Sequence, residues 1–129
     1  MRRSLILDTC ALVWLASGDE RLSRNAKVEI EAAQLVYVCP ITAWEISLKV
    51  ARKTLELPLP PLEWFNRTLD VHHLVLSDLS VEVLVRANAL PWHHRDPADR
   101  FIIATAQMEN LKIITSDSAF DAYGIETLI

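Results

Sequence analysis

Ser4-Leu5-Ile6-Leu7-Asp8-Thr9 is a short apolar run that stops on a carboxylate. It shows no polar/apolar alternation, which suits a strand covered on both faces, the habit of a parallel sheet. Open α/β sheets bind their ligands at the C-terminal ends of such strands. Asp8 stands at that end, so the reading of the chain turns on which other acids reach it.

Working outward, Ala11 to Ala16 reads as a short helix broken by Ser17-Gly18-Asp19. Ser23 caps a second helix with Ala26, Ile30 and Ala33 on one face. Leu35 to Cys39 is a second continuous apolar run, ended by Pro40. The helix that follows opens near Thr42, with Trp44, Leu48, Ala51 and Leu55 as its apolar stripe. Glu45, Lys49, Arg52 and Lys53 share another face. After the rigid Leu57-Pro58-Leu59-Pro60-Pro61 link, Leu62, Phe65 and Leu69 suggest a short helix. Val71 to Leu76 reads as a third strand, and Ser80 caps a helix through Leu90. Asp96-Pro97-Ala98-Asp99 is a helix start, with Asp as N-cap and Pro at the first helical position. Phe101 to Ala106 is apolar nearly all round, as in a buried helix, and Asn110 closes it. Lys112 to Thr115 is a fourth strand ending at Ser116-Asp117, and Ile125 to Ile129 adds an edge strand. This alternation predicts an α/β domain with a mainly parallel sheet, one domain over residues 1–129.

Composition narrows the class. Apolar residues make up 51% of the 129 residues and only two are glycine, as in a compact globular protein. No apolar run approaches the ~20 residues that span a bilayer, and the run after Met1-Arg2-Arg3 is too short for a signal peptide, so the cytoplasm is expected. Cys10 and Cys39 make neither a disulfide framework nor a zinc spacing, and read as buried thiols. A net charge of −4 argues against simple electrostatic binding of nucleic acid. It leaves open an enzyme that works on nucleic acid through bound cations and a local basic rim.

Four acids stand at special places: Asp8 after the first strand, Glu45 early in the helix after the second, Asp99 in the first turn of the buried helix, and Asp117 after the fourth strand. In a parallel sheet these places share one edge. Singly, each acid also suits a helix cap or the positive end of a helix dipole. Together they would repel and resist ionisation, which a hard divalent cation such as Mg²⁺ or Mn²⁺ resolves. Such a site supports phosphodiester hydrolysis by metal-activated water. Lys49 and Arg52 beside Glu45, and His94 and Arg95 in the loop before Asp96, are candidate contacts for RNA phosphates; the His pair reads equally well as a solvated loop. Trp14, Trp44, Trp64 and Trp92 read as core rather than base-stacking platforms, with Trp92, in a loop, the one that could stack.

The chain resembles PIN-domain ribonucleases, and among them the VapC-type toxins of toxin–antitoxin pairs. The resemblance lies in Leu5-Ile6-Leu7-Asp8-Thr9, Ala43-Trp44-Glu45-Ile46, His94 to Ala104 and Thr115-Ser116-Asp117, in that order and at that spacing. It implies a three-layer α/β/α sandwich and a Mg²⁺- or Mn²⁺-dependent endoribonuclease. It also implies a homodimer silenced by a cognate VapB-type antitoxin. The family's acids match Asp8, Glu45, Asp99 and Asp117 as metal-binding and catalytic residues, with Thr9 and Thr115 as supporting hydroxyls and Asp96 as a cap. Close relatives often carry His after Asp-Thr, where this chain has Cys10, a thiol that cannot replace an imidazole at neutral pH. Two other readings stand beside this one. An RNA-processing nuclease of the same chemistry would have no antitoxin, and a non-catalytic binding module would show no metal dependence.

Overall fold

The computed structural model describes residues 3–128. Among them, five strands form one sheet: β1 (Leu5–Leu7), β2 (Val36–Val38), β3 (Val75–Leu76), β4 (Lys112–Ile114) and β5 (Thr127–Leu128), in the order β3-β2-β1-β4-β5. Every pairing is parallel. Ile6 of the central strand lies opposite Tyr37 on one side and Ile113 on the other. The expected α/β/α architecture with a parallel sheet is therefore what the chain adopts.

The unbroken apolar strands follow from burial on both faces. Leu5, Leu7, Val36, Val38 and Ile114 face one core, with α1 (Thr9–Ser17), α2 (Arg24–Ala32), α3 (Ile41–Ala51) and α4 (Pro61–Val71). Ile6 and Ile113 face the other, with α5 (Val81–Ala89), α6 (Pro97–Glu109) and a 3₁₀ segment, Ser118–Tyr123. With side chains alternating across the strand, a polar residue on either face would meet a helix layer. No helix among the described residues is long and apolar enough to cross a membrane.

The caps sit where short polar residues precede apolar periodicity. Asp8, Ser23, Ser80 and Asp96 each accept a backbone N–H from the first turn of α1, α2, α5 and α6. Asn110 ends α6 in the left-handed region at φ 53°.

Several expectations need correction. Helix α4 runs through Val71 and takes the start of the expected third strand, leaving only Val75–Leu76. Its buried Trp64, Phe65 and Thr68 keep the helical stripe going until His73 turns left-handed at φ 55°. In α3 the buried residues are Thr42 and Ile46. Trp44 is two residues from Thr42, about 200° around the helix, and is 57% exposed. Leu55 lies beyond the helix end. Cys39 is buried as expected, but Cys10 is exposed on the first turn of α1. The terminal strand is Thr127–Leu128, and Ile129 lies outside the described residues.

Ile6 is completely buried at the centre of the sheet. Ile6→Ala is expected to cost about 3 kcal/mol, read from urea unfolding midpoints at unchanged slope.

Candidate metal centre

The sheet order places β1 beside both β2 and β4, so the order in which strands are added reverses between β1 and β4. That is the switch point where α/β sheets open a crevice beyond the strand ends. Asp8 leaves β1 there, and Thr115 and Asp117 leave β4. The two strand ends are tied together: the Thr115 hydroxyl donates to Asp8 Oδ2 at 2.5 Å and accepts the Asp117 N–H at 3.0 Å. Asp8 Oδ1 accepts the Ala11 N–H at 2.8 Å. Asp8 is therefore at once a helix cap and a buried carboxylate of the site. The cap reading and the site reading describe the same side chain.

Asp99 enters from the first turn of α6, whose start Asp96 sets by accepting the Ala98 N–H at 2.9 Å. Glu45 enters from the second turn of α3. Asp117 caps the 3₁₀ segment through Oδ1 and the Ala119 N–H, 2.9 Å apart. Two ligand groups result, each with its donor atoms within 4.8 Å of one another: His94, Asp99 and Asp117, and Glu45, Asp96 and Asp99. Asp99 belongs to both. Asp8 belongs to neither and acts on them through its charge, being among the groups that push Asp99 upward.

The electrostatics are those of a site short of positive charge. Burial, then the charges of Asp96, Glu45, Asp8 and Asp117, pushes Asp99 up to about 8. Burial also raises Asp8, against the opposing hydrogen bonds from Thr115 and Ala11. Lys49 Nζ stands 3.6 Å from Glu45 Oε1, too exposed to neutralise the cluster. The buried Thr9 hydroxyl, next to Asp8, has no hydrogen-bond partner. Clustered carboxylates that resist ionisation and an orphaned hydroxyl beside them suit a hard, oxygen-seeking divalent cation.

Two participants were not legible in the chain. Asp96 reads as a cap and is one, yet its carboxylate also stands within ligand distance of Glu45 and Asp99. His94 has no partner evident in sequence, yet its Nε2 lies 2.9 Å from Oδ2 of both Asp99 and Asp117. The remaining rim candidates are placed as surface groups: Arg52 and Arg95 are exposed, and Lys49 is half-buried. Trp92, read as core, is instead 64% exposed, its ring lying over the Arg100 guanidinium at 3.6 Å.

Comparison with known proteins agrees with this arrangement. The PIN domain family model matches residues 5–126. The chain is 30% identical over 115 residues to Ribonuclease VapC22 of Mycobacterium tuberculosis, covering 88% of this chain and 87% of that one. Among solved structures it is similar to VapBC2 from Rickettsia felis bound to a DNA fragment from their promoter, with a TM-score of 0.72 at 14% identity and 97% of each chain covered. A toxin–antitoxin complex from Klebsiella pneumoniae is also similar, with a TM-score of 0.66 at 23% identity, over 97% of this chain and 96% of that one.

The raised Asp99 fixes the sign of a pH effect. Between its ordinary 3.8 and about 8, the folded chain holds a proton that the unfolded chain has released. Stability in EDTA therefore falls as pH rises through that window. Asp99→Asn removes this dependence. By scanning calorimetry in EDTA at about pH 9 it is expected to melt about 3–5 °C above the wild type, and saturating Mg²⁺ should raise the wild type alone.

Proposed function

The chain belongs to the PIN domain family, and from that premise we propose that it is a metal-dependent endoribonuclease, the toxin of a toxin–antitoxin pair. The observation that carries the reading is the convergence of Asp8, Glu45, Asp99 and Asp117 from four elements onto one sheet edge, with Asp99 pushed up to about 8 by burial and by its acidic neighbours. Similarity to a ribonuclease over most of both chains supports RNA as substrate. Similarity to toxin–antitoxin complexes over nearly the whole chain supports a VapB-type antitoxin as partner. We place the protein in the cytoplasm as a homodimer.

In this reading Asp8, Glu45, Asp99 and Asp117 hold a Mg²⁺ or Mn²⁺ ion, with the Thr9 and Thr115 hydroxyls supporting the site. A cation held there would supply a water of lowered pKa and offset charge at the departing oxygen. The chain's own part is positional. Thr115 holds the Asp8 carboxylate against β4, so the acids of β1 and β4 keep their spacing. The buried flank of α6 keeps Asp99 facing them, since Ile102, Ile103, Ala104 and Ala106 are all buried behind it. Lys49, Arg52 and Arg95 lie on the exposed rim, where cations align the flanking phosphates of an RNA strand.

The decisive experiment is cleavage of total RNA by antitoxin-free protein, with Mg²⁺ or Mn²⁺ and with EDTA. Discrete fragments that need metal are expected, and Asp99→Asn should lower the rate by more than about a hundredfold while the circular dichroism spectrum stays that of the wild type. Cleavage that persists in EDTA or in the variant would defeat the assignment. Metal-independent RNA retention without cleavage would mark a binding module.

A further inference from the structure

The loop between α5 and α6 is held by groups that do no chemistry of their own. Arg100, buried one residue after Asp99, donates from Nη2 to the carbonyls of Ala87 and Leu90 at 2.6 and 2.8 Å. Its Nη1 donates to the carbonyls of Pro91 and His94 at 3.0 and 2.9 Å. The Tyr123 hydroxyl donates to the Pro91 carbonyl at 2.7 Å and accepts the His94 N–H at 2.8 Å. The backbone of His94 is thus gripped at both its N–H and its carbonyl. Only its side chain is left to act, and it points at the acids.

The imidazole's hydrogen bonds settle what it does there. Nδ1 accepts the Asp96 N–H at 3.2 Å, so the ring proton sits on Nε2. Nε2 stands 2.9 Å from Asp117 Oδ2 and 2.9 Å from Asp99 Oδ2, with Phe120 edge-on to the ring at 5.5 Å behind it. A nitrogen that carries a proton has no lone pair for a metal. It is a donor, and it is directed into the space between the Asp99 and Asp117 carboxyl oxygens, where a divalent cation would be held.

We propose that His94 is a built-in competitor for the metal centre, an N–H clamped between Asp99 and Asp117 that must withdraw from their oxygens before a divalent cation bridges them. The clamp of Arg100 and Tyr123 keeps the competitor in place, and so sets how much cation the protein needs. The inference rests on the metal-centre reading above. It departs from the two simpler roles for this residue, a contact for RNA phosphates and a ligand to the metal.

The three roles give different signs in one measurement. Mg²⁺ and Mn²⁺ are titrated by calorimetry into RNA-free wild type, His94→Ala and, as a control, His93→Ala, whose ring meets Tyr123 rather than the acids. Loss of a competing charge-assisted hydrogen bond is expected to tighten cation binding about tenfold in His94→Ala and to leave His93→Ala unchanged. Weaker binding in His94→Ala would make the residue a ligand and overturn the inference, and equal binding would leave only the RNA role and also overturn it. In both of these cases the wild type still binds, so the metal centre stands. Failure of all three proteins to bind either cation would instead remove the metal centre itself. A second readout needs no variant. Long-range ¹H–¹⁵N spectra of ¹⁵N-histidine wild type should show His94 protonated at Nε2 without Mg²⁺, and a shifted, still Nε2-protonated ring at saturation. An Nε2 that loses its proton on saturation, or a ring that does not respond, would overturn the inference independently.

Discussion

The repulsion among carboxylates at one edge of the sheet is the constraint to which the rest of the molecule answers. Water screens like charges well and a half-buried crevice screens them poorly, so Asp99 is driven up to about 8 by burial and its acidic neighbours. No chain assembles such a cluster for stability. The fold tolerates it because each face of the sheet carries its own apolar core. The two hydrogen bonds on Asp8 stabilise at least one of the charges.

The first turn of α6 concentrates the consequences. Within five residues, Asp96 caps the helix, Asp99 faces the acids, and Arg100 points the other way into the α5–α6 loop. Arg100 is a buried cation whose hydrogen-bond partners are carbonyls and a phenol. Its charge is offset by the carbonyl end of α5, where Ala87 and Leu90 present oxygens without helical partners, and by the face of Trp92. The helix thus turns opposite charges onto different faces about 100° apart, one toward the acids and the other toward the loop that carries His94.

Much of this was open to reading in one dimension. Continuous apolar runs marked strands buried on both faces, and Asp96-Pro97 marked the start of α6, because both signals depend on neighbours in sequence. The acids Asp8, Glu45 and Asp117 lie close enough to Asp99 for their charges to act on it, where strand ends and helix starts meet. The reading failed where the choice was between faces of one element. Trp44 looked like core because a helix stripe can be drawn through it, but α3 buries Thr42 and Ile46 instead, and Ile46 belongs to the core that holds residues of β1 and α1. The third strand was drawn too long because Val71 suits a strand as well as a helix, and only the burial of Trp64, Phe65 and Thr68 decides for the helix.

What the sequence determined by itself was the architecture and where Asp8, Glu45, Asp99 and Asp117 stand along it, because periodicity, caps and strand ends are local and survive without partners. What only the tertiary structure decided was who meets whom across the edge. Asp96 joins Glu45 and Asp99, Thr115 bonds Asp8 at 107 residues' separation, and His94 is pressed between Asp99 and Asp117. These meetings depend on the strand order β3-β2-β1-β4-β5, which brings the first and fourth strands together. They depend equally on a buried arginine that bends a loop back over its own helix. Both arise from packing over long separations, for which neighbouring residues carry no signal.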